Sequence, residues 1–197
     1  MKILIITDIH YPLERQEYEV IQGNTYDVCF LLGDIPLDVL IEIKSMVKIP
    51  LYGLRGNHDT ESLLYQSGIE NLHGRVICSH GVRFTGFEGS HKYKQTDQTF
   101  MVSQKESIGV SESIPEADVI LSHDAPYYMY ELKRSGLKAL LHKRPDDKVH
   151  CGLKGLSQYV NIALPGYLIH GHYHMDKSSM LGRTKVIGCY RVKILNI

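Results

Sequence analysis

The sequence has no tryptophan and only four phenylalanines, and it carries no excess of either charge: 22 Lys and Arg stand against 22 Asp and Glu. A balanced chain is a poor candidate for coating nucleic acid or an anionic membrane, and only a local basic patch leaves such a partner open. Long apolar runs are missing. The longest, at 3–6 and 28–32, fall far short of a membrane span. No secretory leader is visible, because Met1 and Lys2 run straight into a strand-like segment. There is no CxxC pair, and Cys29, Cys78, Cys151 and Cys189 are scattered. Free thiols of a cytoplasmic protein are the expectation, not a disulfide framework. Repeats, low-complexity tracts and Pro/Gly-rich linkers are also lacking, so residues 1–197 read as one domain. With 43% hydrophobic and 22% charged residues, the composition excludes global disorder.

The chain is rich in histidine, with eleven. Several sit where short apolar runs end. Residues 2–6 lead into Thr7-Asp8-Ile9-His10, and 28–32 into Gly33-Asp34. Residues 49–55 lead into Gly56-Asn57-His58-Asp59, 119–121 into Ser122-His123-Asp124, and 167–169 into His170-Gly171-His172-Tyr173-His174. Such short Ile/Val/Leu runs read as strands buried on both faces. Strands that each deliver polar groups at their carboxyl end describe an α/β fold with its site along one rim. Helical patterns fall at 37–47, 60–68, 127–142 and 152–164. A strand–turn–strand falls at 75–87, and one or two closing strands at 185–197. The polar stretch 88–113 reads as a solvated connection first, with a loop or lid over the site, or a surface helix, as the alternatives. The sum is an α/β domain of two stacked sheets with helices outside.

Asp8 and His10 are two apart, as are His172 and His174, and strand periodicity would put each pair on one face. The donor chemistry is carboxylate, imidazole and one amide, with no thiolate, which suits first-row divalent ions. The set is too large for one ion and sufficient for two.

Taken in order, D8-x-H10, G33-D34, G56-N57-H58-D59, H123 and G171-H172-x-H174 resemble the motifs of the calcineurin-like metallophosphoesterases. The resemblance implies that Asp8, His10 and His174 hold one metal, that Asn57, His123 and His172 hold a second, and that Asp34 bridges them. It implies two divalent transition-metal ions, Mn first, with Fe, Zn, Ni or Co as the others. A centre of +4 offset by two carboxylates attracts phosphate. A metal-bridging hydroxide would then attack phosphorus, Asp34 and Asn57 would hold the centre, and His58 would act as general acid. A small phosphoester or a nucleotide is the expected substrate, as monoester or diester. A nuclease is weakly suggested by seven Lys/Arg against three Asp/Glu in 127–159, and a non-catalytic scaffold of the same fold is the other alternative. The Ser/Thr protein phosphatases of this superfamily extend the second motif to GDxxDRG. Here Leu37 stands in the acid's place and no arginine follows, which points away from that branch. Arg55, Tyr11, His142 and His150 are further candidates for substrate contact. His73, His80 and His170 read as structural.

Overall fold

The computed structural model describes residues 1–23, 25–94, 100–127 and 149–197. The helical pattern at 127–142 lies almost entirely outside the described residues. One sheet has the order β13 (Arg191–Asn196), β1 (Lys2–Thr7), β2 (Val28–Leu31), β3 (Leu51–Gly53), β4 (Glu70–Asn71). The other has the order β11 (Lys177–Leu181), β12 (Thr184–Gly188), β10 (Tyr167–His170), β9 (Val119–Ser122), β6 (Val82–Phe87), β5 (Val76–Ser79). A two-stranded ribbon joins β7 (Ser90–His91) to β8 (Met101–Val102).

Alternation along the strands builds the layers. In β1, Ile3 and Ile5 pack with Val28 and Phe30 of β2 against Phe84, Val119, Leu121 and Ile169 of the other sheet. Leu4 and Ile6 face the opposite way, toward α1 (Arg15–Gly23), α2 (Leu37–Met46) and α3 (Leu63–Ser67). On the far side, Ile120 and Leu168 pack with Leu156, Tyr159 and Val160 of α5 (Lys154–Ala163), behind which lies α4 (Gln104–Ser113). Both faces of each central strand are thus covered, which is why these strands read as unbroken apolar runs. Two mixed sheets stacked between helices are the fold the sequence predicts.

Two local expectations fail. The 60–68 helix begins only at Leu63, although it does stop at Gly68 in the left-handed conformation (φ 63°). The stretch 88–113 is not merely a solvated connection: it holds the β7–β8 ribbon and α4, which starts in a capping box between Ser103 and Glu106. Ser107 of α4 is buried, and its Oγ accepts from the Gly155 N–H at 3.2 Å. The closing segment forms two strands, β12 and β13, as expected, and β11 pairs ahead of them.

Candidate metal centre

The expected ligands lie just past the strands, not in them. β1 ends at Thr7 and β10 at His170, so strand alternation does not aim Asp8, His10, His172 or His174. Backbone turns do. Asp8 (φ 54°), Asp34 (φ 55°), His172 (φ 62°) and His174 (φ 47°) are all left-handed, a conformation that costs non-glycine residues energy and gathers at functional sites. The turns are pinned to one another. Asp8 N–H donates to the Gly33 carbonyl at 3.1 Å and Ile9 N–H to that of Asp34 at 3.0 Å. Asp59 Oδ2 accepts from the N–H groups of Gly56 (2.7 Å) and Asp34 (2.9 Å). Burial and the neighbouring Asp34 charge raise the Asp59 carboxyl to about 6. Glycine is required where the turns touch: a Cβ on Gly56 would fall 2.1 Å from Asp34 Oδ1, and one on Gly171 2.2 Å from Thr7 Oγ1.

Two groups result. Asp8, His10 and His174 each place one donor atom within 4.8 Å of the others, and so do Asp34, His123 and His172. In the first, His10 Nε2 and His174 Nε2 are 3.1 Å apart, and His174 Nε2 is 3.5 Å from Asp8 Oδ1. Asp8 Oδ1 is buried without a hydrogen-bond partner, while Oδ2 accepts from Thr7 Oγ1 (2.8 Å) and His172 N–H (2.9 Å). An orphan carboxylate oxygen facing two imidazole nitrogens is what a cation satisfies. Donor atoms about 2.0–2.2 Å from a shared ion lie about 3 Å from one another.

In the second group, His123 Nδ1 donates to the Leu32 carbonyl at 2.7 Å. That bond turns Nε2 toward Asn57 Oδ1 at 3.1 Å and Asp34 Oδ2 at 3.3 Å. Burial alone would depress the His123 imidazole, but the Asp34 carboxylate overrides burial and lifts it to about 10. The carboxylate thus favours positive charge between these atoms, which a divalent ion would supply. His172 is pushed down to about 3 by burial and the His123 charge, which leaves it neutral and fit to ligate. Its Nε2 faces the Val149 carbonyl at 3.3 Å. Asn57 is fully buried, with Nδ2 3.5 Å from the Tyr93 hydroxyl. The donor set fits two ions.

His58 is exposed. Its backbone N–H donates to Asp34 Oδ1 at 2.9 Å, and its ring centre is 6.3 Å from that of His10. Arg55 does not point at the centre: it makes a two-pronged pair with Glu88 at 2.8 Å, donates to the Glu61 carbonyl at 2.9 Å and stacks on Phe100. Tyr11 is 73% exposed. His150 places its ring 5.2 Å from that of His172, and His142 lies outside the described residues. His170 is a buried core residue, its imidazole depressed to about 4 by burial. Two residues of the site escape the sequence reading. Thr7 props Asp8, and Tyr190 stacks on His174 at 5.1 Å; neither carries a recognisable motif.

A family model for the calcineurin-like phosphoesterase superfamily domain matches residues 1–189. The chain belongs to that superfamily. No curated protein sequence matches it. Among solved structures, TT1561 of Thermus thermophilus has a TM-score of 0.61 at 14% identity, over 96% of this chain and 89% of that one. The phosphopantetheinyl hydrolase PptH of Mycobacterium tuberculosis has a TM-score of 0.58 at 11% identity, over 96% and 89%. A single mutant of Vps29 from Entamoeba histolytica has a TM-score of 0.51 at 13% identity, over 100% and 86%. These likenesses concern the fold. Among the described residues no helix is long and apolar enough to cross a membrane.

Proposed function

We propose that this protein is a dinuclear-metal phosphoesterase that hydrolyses small phosphomonoesters or phosphodiesters. The observation that carries the reading is the pair of adjoining donor groups, with Asp8 Oδ1 orphaned in one and His123 Nε2 facing two oxygens in the other. Asp8, His10 and His174 hold the first ion; Asn57, His123 and His172 hold the second; Asp34 is shared. When bound, the ions supply a nucleophile from water and positive charge for the phosphate oxygens.

The chain's own groups do the rest. Asp34 is fixed by the His58 N–H on Oδ1 and leaves Oδ2 for the metal side. Asn57 offers a neutral amide oxygen, which keeps the net positive charge that draws the phosphoester in. His58, exposed beside His10, can reach the ester oxygen and give it a proton as it departs. Arg55 is committed to Glu88, so the metals carry the grip on phosphate among the described residues. Most of the basic excess in 127–159 lies outside the described residues.

The test is an assay of purified protein on aryl phosphomonoesters and phosphodiesters with added Mn. Turnover that a strong chelator abolishes and Mn restores is expected. Metal-loaded protein inert toward both classes from neutral to mildly alkaline pH would instead favour the scaffold.

A further inference from the structure

Next to His10 and His58 a cleft of about 390 Å³ opens between the turn into α2 and the turn into α3. Its apolar lining is Ile35, Pro36, Leu37 and Leu63, of which Pro36 and Leu37 present most of the open surface while Ile35 and Leu63 are nearly buried; Thr60 and Gln66 complete it. Among the described residues no lysine or arginine lines it, and the one carboxylate besides Asp34 is Asp59. The cations closest in sequence are engaged elsewhere. Lys44 Nζ donates to the carbonyls of Ser67 (3.0 Å) and Gly68 (2.6 Å), and Arg55 pairs with Glu88.

We infer that this cleft receives the alcohol portion of the substrate, and that this portion is compact, uncharged and largely apolar, an aryl or short branched alkyl group. The inference rests on the phosphoesterase reading, because the phosphorus must sit at the metal groups for its alcohol to fall beside His58. Three observations converge. His58 lines the cleft, so the oxygen it protonates departs into it. The apolar wall favours carbon over water, and each methylene buried against it is worth roughly a fourfold gain in affinity. A second phosphate or a carboxylate reaching the far end of the cleft would meet no lysine or arginine among the described residues and would face Asp59. The volume is near the lower end of the roughly 300–1,000 Å³ typical of small-molecule sites, which suits a single ring more than a nucleoside with further phosphates.

Calorimetric titration of the Mn-loaded full chain with phenylphosphonate, methylphosphonate and 2-carboxyethylphosphonate tests this. Phenylphosphonate is expected to bind at least about tenfold tighter than methylphosphonate, and the carboxylate-bearing ligand weakest of the three. Thr60→Lys, at an exposed position, should raise affinity for 2-carboxyethylphosphonate several-fold. Affinities for the phenyl and methyl ligands within twofold of each other, or a preference for the anionic tail in the unaltered protein, would overturn the cleft assignment and leave the phosphoesterase reading standing. Absence of any phosphonate binding together with absence of ester turnover would overturn the phosphoesterase reading. The cleft is then judged separately, by benzyl alcohol in metal-free protein. Saturable NMR shifts of the Leu37 and Leu63 methyls support it, and none overturns it.

Discussion

Gly56→Ala adds one methyl group at the tightest place in the site. Its Cβ would stand 2.1 Å from Asp34 Oδ1 and 2.7 Å from both Asp34 Cγ and His123 Cε1. Relaxed non-bonded contacts are about 3.5–4.0 Å, so the carboxylate must retreat by more than about 1 Å. It has little freedom to do so. Oδ1 is held by the His58 N–H at 2.9 Å, and the Asp34 backbone N–H is held by Asp59 at 2.9 Å. On the other side Gly33 is jammed against Gly56, for a Cβ there would meet Gly56 N at 2.3 Å. Forced overpacking of this kind costs about 1–3 kcal/mol. For a chain of this size that is a fall in Tm of roughly 2–12 °C. The functional loss is larger, because displacing a positioned group by 1 Å can cost about 10²-fold in rate. Gly109→Ala is the control. It lies inside α4 with nothing within 4 Å of its Cβ, and should stabilise by about 0.5–1 kcal/mol. The measurements are thermal melts, elemental analysis of bound metal and turnover of an aryl phosphate. A Gly56→Ala protein with unchanged Tm, unchanged metal content and turnover within twofold of the parent would refute the steric argument.

Other substitutions separate the roles. Asp34→Asn keeps the shape of the shared ligand and removes its charge, so both metals should be lost in parallel and turnover abolished; elemental analysis that finds one site still full would rule out a shared Asp34. His58→Ala should cost about 10²–10⁴-fold on an alkyl phosphate ester and much less on a nitrophenyl ester, whose leaving group needs no proton. Equal losses on both would show that His58 does not act as the acid. Glu17 of α1 pairs with Arg191 of β13 through bonds of 2.6 and 2.7 Å. Partial burial raises the Glu17 carboxyl, but Arg191 overrides it and holds the carboxyl below its ordinary 4.5. The pair's contribution is therefore present above about pH 4.5 and is lost as pH falls through the depressed value. Glu17→Gln should cost about 1–3 kcal/mol in urea unfolding at pH 7, with the gap to the parent closing below pH 4. A gap that stays constant from pH 7 to pH 3 would contradict this.

The donor set was legible because each motif follows a short apolar run, and the end of the run shows where the backbone must leave the sheet. The aim of the side chains was not. Strand periodicity accounts for Asp8 with His10 and for His172 with His174 only if the strands continue, and they stop at Thr7 and His170. Left-handed turns at Asp8, Asp34, His172 and His174 have no local sequence mark, since none of the four is glycine. α4 could have been read. Ser103 and Glu106 have the spacing of a capping box, but the helix is mostly polar and its buried face rests on serines, not on an apolar stripe. α1 buries only Ile21 fully, too little for a visible period. Arg55 looked free for phosphate because its partner, Glu88, is 33 residues away.

β1 leads into the turn that holds Asp8, yet it completes its pairing late. One edge meets β2, with Ile3 opposite Val28, and the other meets β13, with Lys2 opposite Asn196. At translation rates of roughly 5–20 residues per second, β13 leaves the ribosome about 10–40 s after β1. Through that interval a strand whose Ile3, Leu4, Ile5 and Ile6 are all destined for full burial has one edge without its native neighbour. His174 emerges before β13 does, so every expected ligand exists on the nascent chain while the sheet that anchors Asp8 is still open on one side. The strand that leads into Asp8 thus gains its second neighbour only after every expected ligand has been made.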